Sequence, residues 1–378
     1  MVLLALTLAL LIPGVASAEL LVCAADLHLT RKGCYVNQDT GNIECQVWEW
    51  VVGSGDTYLN IQGISAHYLL YVTVLTGNPS YALGTFGTAN LLVGRYNADP
   101  MLRPFGQDVD FLLDVCAFDP STYGVNVSEY LGAGMESNEA YCTLATQYYS
   151  RVVGQFPNSA DNADRYIDVR LSLAGWDLGT GQIRPAWRTN FESYAVGMVA
   201  RVLERRIDWE HILYGGYDYT NISWAALIRV IVEMYAAGDI GAAEYAEALD
   251  MADLLLAEQE FDGSWDGDPQ TTAYALLALR TDLDNPTWRL AAVRGENFLE
   301  AFAGIPQQCG WNYPPEYAEV NSEVIGALSE WQSLPFADGF ETGDTSAWSS
   351  SVGVSPLREA VESIPALSVL RPAATPTF

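Results

Sequence analysis

The sequence predicts an all-α fold built from stacked helical hairpins. Between Gln62 and Trp331 the apolar residues recur mainly at helical spacing, and Gly, Pro, Asp and Asn separate the periodic segments. Short connections between so many helices favour about six helical hairpins packed side by side. The predicted helices cover roughly residues 62–76, 80–96, 106–116, 137–154, 161–174, 188–206, 221–237, 241–260, 269–281, 286–303 and 317–332.

Composition and charge exclude several classes of protein. Half of the 378 residues are hydrophobic, which excludes a disordered polymer. Asp and Glu number 47 against 18 Lys and Arg, giving a formal net charge of −29, and Lys32 is the one lysine. An acidic protein without a basic stripe cannot neutralise phosphates, so we expect neither nucleic acid nor an anionic membrane surface as a partner.

The N-terminus has the pattern of a secretory signal peptide. An apolar run from Val2 to Ile12 precedes the small triplet 16–18, so we predict a signal peptide over residues 1–18 and a mature chain that begins at Glu19. No basic residue precedes the run, which leaves a misassigned start codon as the alternative. Beyond residue 18 no segment has the ~20 apolar residues of a membrane span. The predicted location is secreted or periplasmic.

The six cysteines all lie beyond the predicted cleavage point, which favours disulfide bonds over buried or free thiols. Cys34 and Cys45 flank a turn-rich centre at 38–42, so the N-terminal segment 19–54 is predicted to hold a disulfide-bonded hairpin. No C-x-x-C motif occurs, and the histidines at 28, 67 and 211 are scattered. The sequence therefore predicts no metal and no cofactor.

An internal repeat is visible in the helical region. Gly–aromatic pairs precede successive helices at intervals of about 45 residues, one two-helix unit per repeat. They lie at 175–176, 216–217, 263–265 and 310–311. The helices that follow are rich in small residues, as an inner ring requires. The alternating helices, such as 242–260, carry more charge and are predicted to form an outer ring.

One repeat carries a specific pattern: Leu255, three spacers, Gln259, a short spacer, then Gly263-Ser264-Trp265. It resembles the glutamine–tryptophan repeat of the squalene and other terpenoid cyclases, and 307–311 is a degraded second copy. The resemblance implies the α/α toroid that these cyclases share with protein prenyltransferases, here over residues 55–334. Within it, Gln259 is expected to tie the end of an outer helix to the next turn, and Trp265 to cover that junction.

Candidate catalytic residues lie at the first turns of the predicted inner helices. In a toroid these helices run parallel, so their N-termini meet at one mouth. We predict Asp108, Asp110 and Glu139 as catalytic carboxylates there, with helix capping as the alternative role. The run from Asp108 to Phe111 resembles the Asp-x-Asp-Asp proton donor of terpenoid cyclases, with Phe111 in place of the last aspartate.

Aromatic residues near the same mouth are candidates for substrate binding, as sugar platforms, or else they fill the core. The predicted substrate-binding residues are Tyr217, Trp265, Asp266, Trp311 and Tyr313.

The leading functional hypothesis is a secreted toroid that serves as a binding or structural module, or as an enzyme of unassigned reaction. Its partner would be a small molecule or glycan in the central cavity. The first alternative is a polysaccharide lyase or glycoside hydrolase acting on neutral glycans, and the second is an isoprenoid cyclase. Residues 335–378 are predicted to form a flexible tail, whose stretch 336–349 resembles a segment near the C-termini of secreted bacterial proteins. The oligomeric state is left open.

Overall fold

The computed structural model describes residues 13–102, 104–118, 120–125, 141–148 without 142 and 146, 213–214, 217–218, 220–238, 240–303, 309–311 and 315–333. The chain divides into two compact units, Leu20–Leu334 and the combination of Met1–Glu19 with Pro335–Phe378. The described residues belong almost wholly to the first unit. The predicted helices 161–174 and 188–206, most of 137–154, residues 1–12 of the predicted signal peptide and the tail lie outside the described residues.

Helices make up most of the described residues, and their bounds follow the sequence prediction closely. Two features were not predicted: a helix that begins at Pro13, and a break at Tyr68 within the predicted helix 62–76. In chain order the helices are α1 Pro13–Thr30, α2 Gln62–His67, α3 Leu69–Thr76, α4 Pro79–Ala98, α5 Gly106–Ala117, α6 Thr220–Ala237, α7 Ala242–Ala257, α8 Pro269–Leu279, α9 Pro286–Phe302 and α10 Ala318–Ser333. No described helix is long and apolar enough to cross a membrane.

Three of these helices begin with the same two-residue signal. An Asn or Asp caps the first turn through its side-chain oxygen, and a Pro occupies the first helical position, where its missing N–H leaves no bond unmade. The pairs are Asn78-Pro79 for α4, Asp268-Pro269 for α8 and Asn285-Pro286 for α9.

The prediction of a purely helical fold is too narrow, because a small sheet precedes α2. It contains β1 Gly33–Asn37, β2 Ile43–Val47 and β3 Asp56–Thr57 in the order β2-β1-β3. Strands β1 and β2 are antiparallel, with Cys34 opposite Cys45 and a disulfide between them. The predicted disulfide-bonded hairpin is confirmed. A second hairpin joins β4 Leu213–Tyr214 to β5 Tyr217–Asp218.

The helices form an inner series covered by outer ones. In spatial order α6, α8, α10, α2 and α5 contact one another in turn, while α7 covers α6, α9 covers α8, and α4 packs on α2, α3 and α5. Ser322 Oγ donates to Ile64 O at 2.7 Å, and four residues further along both segments Gly326 lies against the Tyr68 ring, so α10 and α2 run parallel. The complete toroid stays a prediction, since most of the residues between α5 and α6 lie outside the described ones.

The core runs along the inner helices. Every side chain of residues 271–279 in α8 and of 320–329 in α10 is buried. The largest buried side chains include the indoles of Trp48, Trp265, Trp288 and Trp311. Where α10 passes the break between α2 and α3, Gly326 lies so close to the Tyr68 ring that no Cβ would fit. This close approach accompanies the break at Tyr68, which helical periodicity alone does not predict.

Candidate functional site

The turn between α7 and α8 shows what the glutamine–tryptophan pattern does. The Trp265 indole N–H donates to the carbonyl of Leu255 in α7 at 2.6 Å, and its backbone N–H donates to Thr272 Oγ1 of α8 at 3.1 Å. The Gln259 amide donates to Gly263 O at 3.0 Å and to Ala291 O of α9 at 2.9 Å. Both side chains therefore hold an outer helix, a turn and an inner helix together, the structural role expected for them.

Trp311 repeats this arrangement between α9 and α10. Its indole N–H donates to Leu299 O at 2.9 Å, and its backbone N–H donates to Asn321 Oδ1 at 2.9 Å.

A third copy, which the residue spacing does not reveal, lies at the N-terminus. The Trp48 indole N–H donates to the carbonyl of His28 in α1 at 2.8 Å, and its backbone N–H donates to Gln62 Oε1 of α2 at 3.0 Å. In this copy α1 supplies the carbonyl that an outer helix supplies in the other two, and α2 supplies the side-chain acceptor. The hairpin β1–β2 is inserted between α1 and the tryptophan.

These bonds bear on the predicted substrate-binding residues. Trp265 and Trp311 are both 0% exposed, so neither indole has a surface with which to contact a ligand. Asp266 is exposed, and its carboxylate accepts from Asn221 Nδ2 at 3.1 and 3.2 Å, which joins the N-terminal ends of α8 and α6. The backbone of Tyr217 lies in β5, while its side chain and the whole of Tyr313 lie outside the described residues.

Asp108 is a buried cap rather than an open carboxylate. Its Oδ1 accepts from the backbone N–H of Gly63 in the first turn of α2 at 3.0 Å, and its Oδ2 accepts from the Tyr96 hydroxyl. Burial raises the pKa of this carboxyl to about 6, against the opposing effects of the Tyr96 bond, the Arg95 charge and the Gly63 N–H. A Cβ at Gly63 would collide with Asp108, so the glycine permits the contact between α2 and α5.

Asp110 has a different neighbour from Asp108. The Oδ2 of Asp110 lies 3.8 Å from Nδ1 of His67, and the other ring nitrogen of His67 contacts the carboxylate of Asp114. The side chain of Asp114 is 29% exposed. His67 and Asp114 were not singled out from the sequence, because their proximity depends on how α2 packs against α5. Glu139, the third predicted catalytic residue, lies outside the described residues.

A group of partly exposed aromatic rings, the aromatic cluster, lies at the N-terminal end of α10. It consists of Trp50, Tyr58 and Tyr317. The ring centroids of Trp50 and Tyr58 are 5.1 Å apart with the planes at 80°, and those of Trp50 and Tyr317 are 5.3 Å apart at 50°. Partly exposed tryptophan and tyrosine rings combine an apolar face with a polar edge, which suits them to ligand contact.

Two carboxylates flank the aromatic cluster. Glu319 accepts from the Trp50 indole N–H at 3.0 Å, and desolvation by the surrounding atoms raises the pKa of its carboxyl despite that bond. Glu316 forms an ion pair with Arg31 and accepts from Asn321 Nδ2 at 2.6 Å.

The aromatic cluster joins opposite ends of the chain. The Val52 N–H donates to Glu316 O at 2.9 Å, and the Ala318 N–H donates to Trp50 O at 3.0 Å. A disulfide between Cys23 of α1 and Cys309 joins the same two regions. Because these contacts span more than two thirds of the sequence, no local motif could reveal the cluster.

No group of three or more His, Cys, Asp or Glu residues within the described part of the chain could hold a metal ion. No protein-family model matches the chain, and comparisons with curated proteins and with solved structures also give no match. The resemblance to terpenoid cyclases therefore rests on the repeat around Gln259 and Trp265 and stays a prediction.

Proposed function

We propose that this protein is an exported binding module of α/α repeats that holds a small ligand at the aromatic cluster. The observation that carries the proposal is the arrangement of three partly exposed rings, Trp50, Tyr58 and Tyr317, beside the Glu319 carboxyl. Aromatic walls with a few placed polar groups are typical of small-molecule sites.

Export is supported by the disulfides. Cys23 pairs with Cys309, Cys34 pairs with Cys45, and Cys116 is also disulfide-bonded. Such bonds persist mainly in oxidising compartments. The residues that bury α1 against the core, Leu21, Ala24 and Ala25, lie beyond the predicted cleavage position, so the mature chain would keep them.

Binding is favoured over acid–base chemistry at the predicted carboxylate pair. Asp108 already accepts from Gly63 and Tyr96, and Asp110 faces His67. A pair that divides the roles of acid and base would have to act on the same substrate. The buried, hydrogen-bonded Asp108 instead supports the capping alternative.

The burial of the inner helices favours a ligand at the mouth over one deeper in the predicted central cavity. All side chains of 271–279 and 320–329 are buried, whereas Trp50, Tyr317 and Glu319 at the N-terminal end of α10 are partly exposed.

A polysaccharide-active enzyme is the second candidate function. The pKa of Glu319 is raised beside aromatic rings, which is the direction in which enzymes tune a general acid. The expected sign of this activity is release of reducing ends from a neutral glycan, lost in Glu319→Gln.

The experiment is a calorimetric screen of neutral oligosaccharides, isoprenoid alcohols and organic ammonium ions against three forms of the protein. These are the wild type, Trp50→Leu, and the control Phe261→Ala, which removes a fully exposed ring on the turn after α7. We expect a ligand that binds the wild type and the control alike and binds Trp50→Leu about tenfold more weakly. Equal affinity for all three forms would contradict the proposed site, provided that Trp50→Leu melts as a folded protein.

A further inference from the structure

The polar groups beside the aromatic cluster are already used within the protein. The Trp50 indole N–H donates to Glu319, and the Glu316 carboxylate is engaged by Arg31 and Asn321. A ligand recognised through many hydrogen bonds, such as a sugar, would have to displace these bonds. The faces of the aromatic rings and the electrostatic field can still contribute to recognition of a ligand.

That field favours a cation. The chain carries a formal net charge of −29. Its one lysine, Lys32, is occupied elsewhere, since its Nζ donates to Gly84 O and lies 4.8 Å from the centre of the Trp48 ring. At the cluster, Arg31 is paired with Glu316, while Glu319 adds a carboxyl in the first turn of α10 and opposes the partial positive charge of the helix N-terminus. A negative surface raises the local concentration of cations.

We propose, resting on the proposed function, that the aromatic cluster with Glu319 binds an organic cation of the quaternary ammonium class. A cation over the faces of tryptophan and tyrosine is attracted by the ring quadrupole, and aromatic cages recognise methylated ammonium groups in this way. The planes of Trp50 and Tyr58, 80° apart, present faces in two directions to one rounded headgroup. A methylated ammonium offers no N–H donors, so it needs no acceptors beyond the rings and the nearby negative charge. A primary ammonium would need partners for three N–H groups.

The test compares two probes of nearly equal shape, choline and its uncharged isostere 3,3-dimethyl-1-butanol, by calorimetry on the full mature protein. We expect choline to bind about tenfold more tightly than the isostere. Trp50→Leu should abolish this preference, and Glu319→Gln should weaken choline binding while leaving the isostere unchanged. Phe261→Ala should bind both probes as the wild type does. Sedimentation with phosphatidylcholine vesicles then separates the two sources of the headgroup: binding to vesicles assigns a lipid, and binding to free choline alone assigns a soluble metabolite.

The possible failures are distinguishable. Equal affinity for choline and its isostere would overturn the cation and leave a hydrophobic site in place. Binding of a neutral oligosaccharide that depends on Trp50, without choline binding, would also overturn the cation while supporting the proposed function. If choline binds and Trp50→Leu has no effect, both the location and the proposed function are wrong.

Discussion

The repeat around Trp265 and the repeat around Trp48 make corresponding hydrogen bonds, yet only the first can be recognised from the sequence. Each tryptophan donates its indole N–H to the preceding outer helix and its backbone N–H to a polar side chain at the start of the next inner helix. In the first repeat Trp265 follows the end of α7 by a short turn. In the second, the hairpin β1–β2 separates α1 from Trp48.

The comparison teaches that hydrogen bonding defines this repeat more faithfully than spacing does. The hairpin begins just after α1 and ends just before Trp48. Trp48 can therefore still bond to His28 and to Gln62. The two repeats also differ in their neighbours. The Trp265 repeat packs against segments close to it in the chain, whereas α2 packs against α10 from the opposite chain end.

The largest expected effect is the loss of stability when a disulfide is removed, and it should differ between the two disulfides. Cys23–Cys309 closes 286 residues and holds the N-terminal repeat to the last one, while Cys34–Cys45 closes 11 residues inside the hairpin. We expect Cys23→Ser with Cys309→Ser to lower the free energy of unfolding by about 5 kcal/mol, and the hairpin pair by about 3 kcal/mol. Urea titration of the two double variants measures both values. A larger loss for the hairpin pair would mean that Cys23–Cys309 does not close the chain ends.

The next effect tests the equivalence of the two tryptophans. Trp48→Ala and Trp265→Ala each empty a fully buried site and remove the indole bond, so each should cost about 3–5 kcal/mol of unfolding free energy. Chemical denaturation of both variants, with Phe261→Ala as an exposed aromatic control, provides the measurement. A Trp48→Ala variant as stable as the control would show that the N-terminal copy is not a working repeat.

The contact between α2 and α5 should make stability depend on pH through Asp108. Its pKa is raised to about 6 in the folded state, so the folded protein holds a proton that the unfolded chain releases near pH 4. The contribution of this group to the free energy of unfolding should therefore fall by about 3 kcal/mol as pH rises from 4 to 6. Burial lowers the pKa of His28 to about 4, so His28 contributes a rise of similar size over the same range, and the total stability does not isolate Asp108.

Asp108→Asn isolates the contribution, because the amide oxygen can still accept from Gly63 while the charge is gone. The difference in stability between wild type and variant should change across pH 4–6, and ligand binding should not change. If the difference is flat with pH, Asp108 is not the buried titrating cap described above.

The smallest expected loss of stability comes from changing the side chains that accept a hydrogen bond from the tryptophan backbone N–H. Thr272→Val leaves the buried N–H of Trp265 without its acceptor and should cost about 1–3 kcal/mol. Gln62→Leu should cost more, because the Gln62 amide also donates to Trp48 O and to Thr57 Oγ1. Thermal melts of both variants measure the two losses of stability. A smaller loss for Gln62→Leu than for Thr272→Val would contradict the proposed correspondence between the two repeats.

Much of the helical framework was accessible from the sequence because its signals are local. Helical periodicity and the Gly, Pro, Asp and Asn residues between the periodic segments placed α4 to α10 within a few residues, and the turn between Cys34 and Cys45 revealed the hairpin. Helix α1 was missed because its N-terminal residues have the same small, apolar character as a signal peptide. The Cys23–Cys309 bond was not predictable, since spacing carries no information about contacts between chain ends.

The candidate site was less accessible than the fold. Asp108 and Asp110 are two residues apart on one helix, and their separate partners, Tyr96 with Gly63 on one side and His67 on the other, follow from tertiary packing. The aromatic cluster depends on the pairing of 50–52 with 316–318, which no periodicity indicates. Trp265 and Trp311 make the structural bonds expected of repeat residues. Their aromatic character also suggested substrate binding, but both side chains are fully buried.

Hydrogen exchange at the tryptophan indoles tests most directly whether the N-terminal repeat is equivalent to the others. Trp48, Trp265 and Trp311 each bury an indole N–H against a carbonyl of the preceding helix, whereas Trp50 is partly exposed and bonded to Glu319. Single Trp→Phe substitutions would assign these four among the eleven tryptophan indole signals in NMR spectra. We predict similar, strong protection for Trp48, Trp265 and Trp311 and faster exchange for Trp50. Exchange of the Trp48 indole as fast as that of Trp50, with Trp265 and Trp311 protected, would contradict a third repeat at the N-terminus.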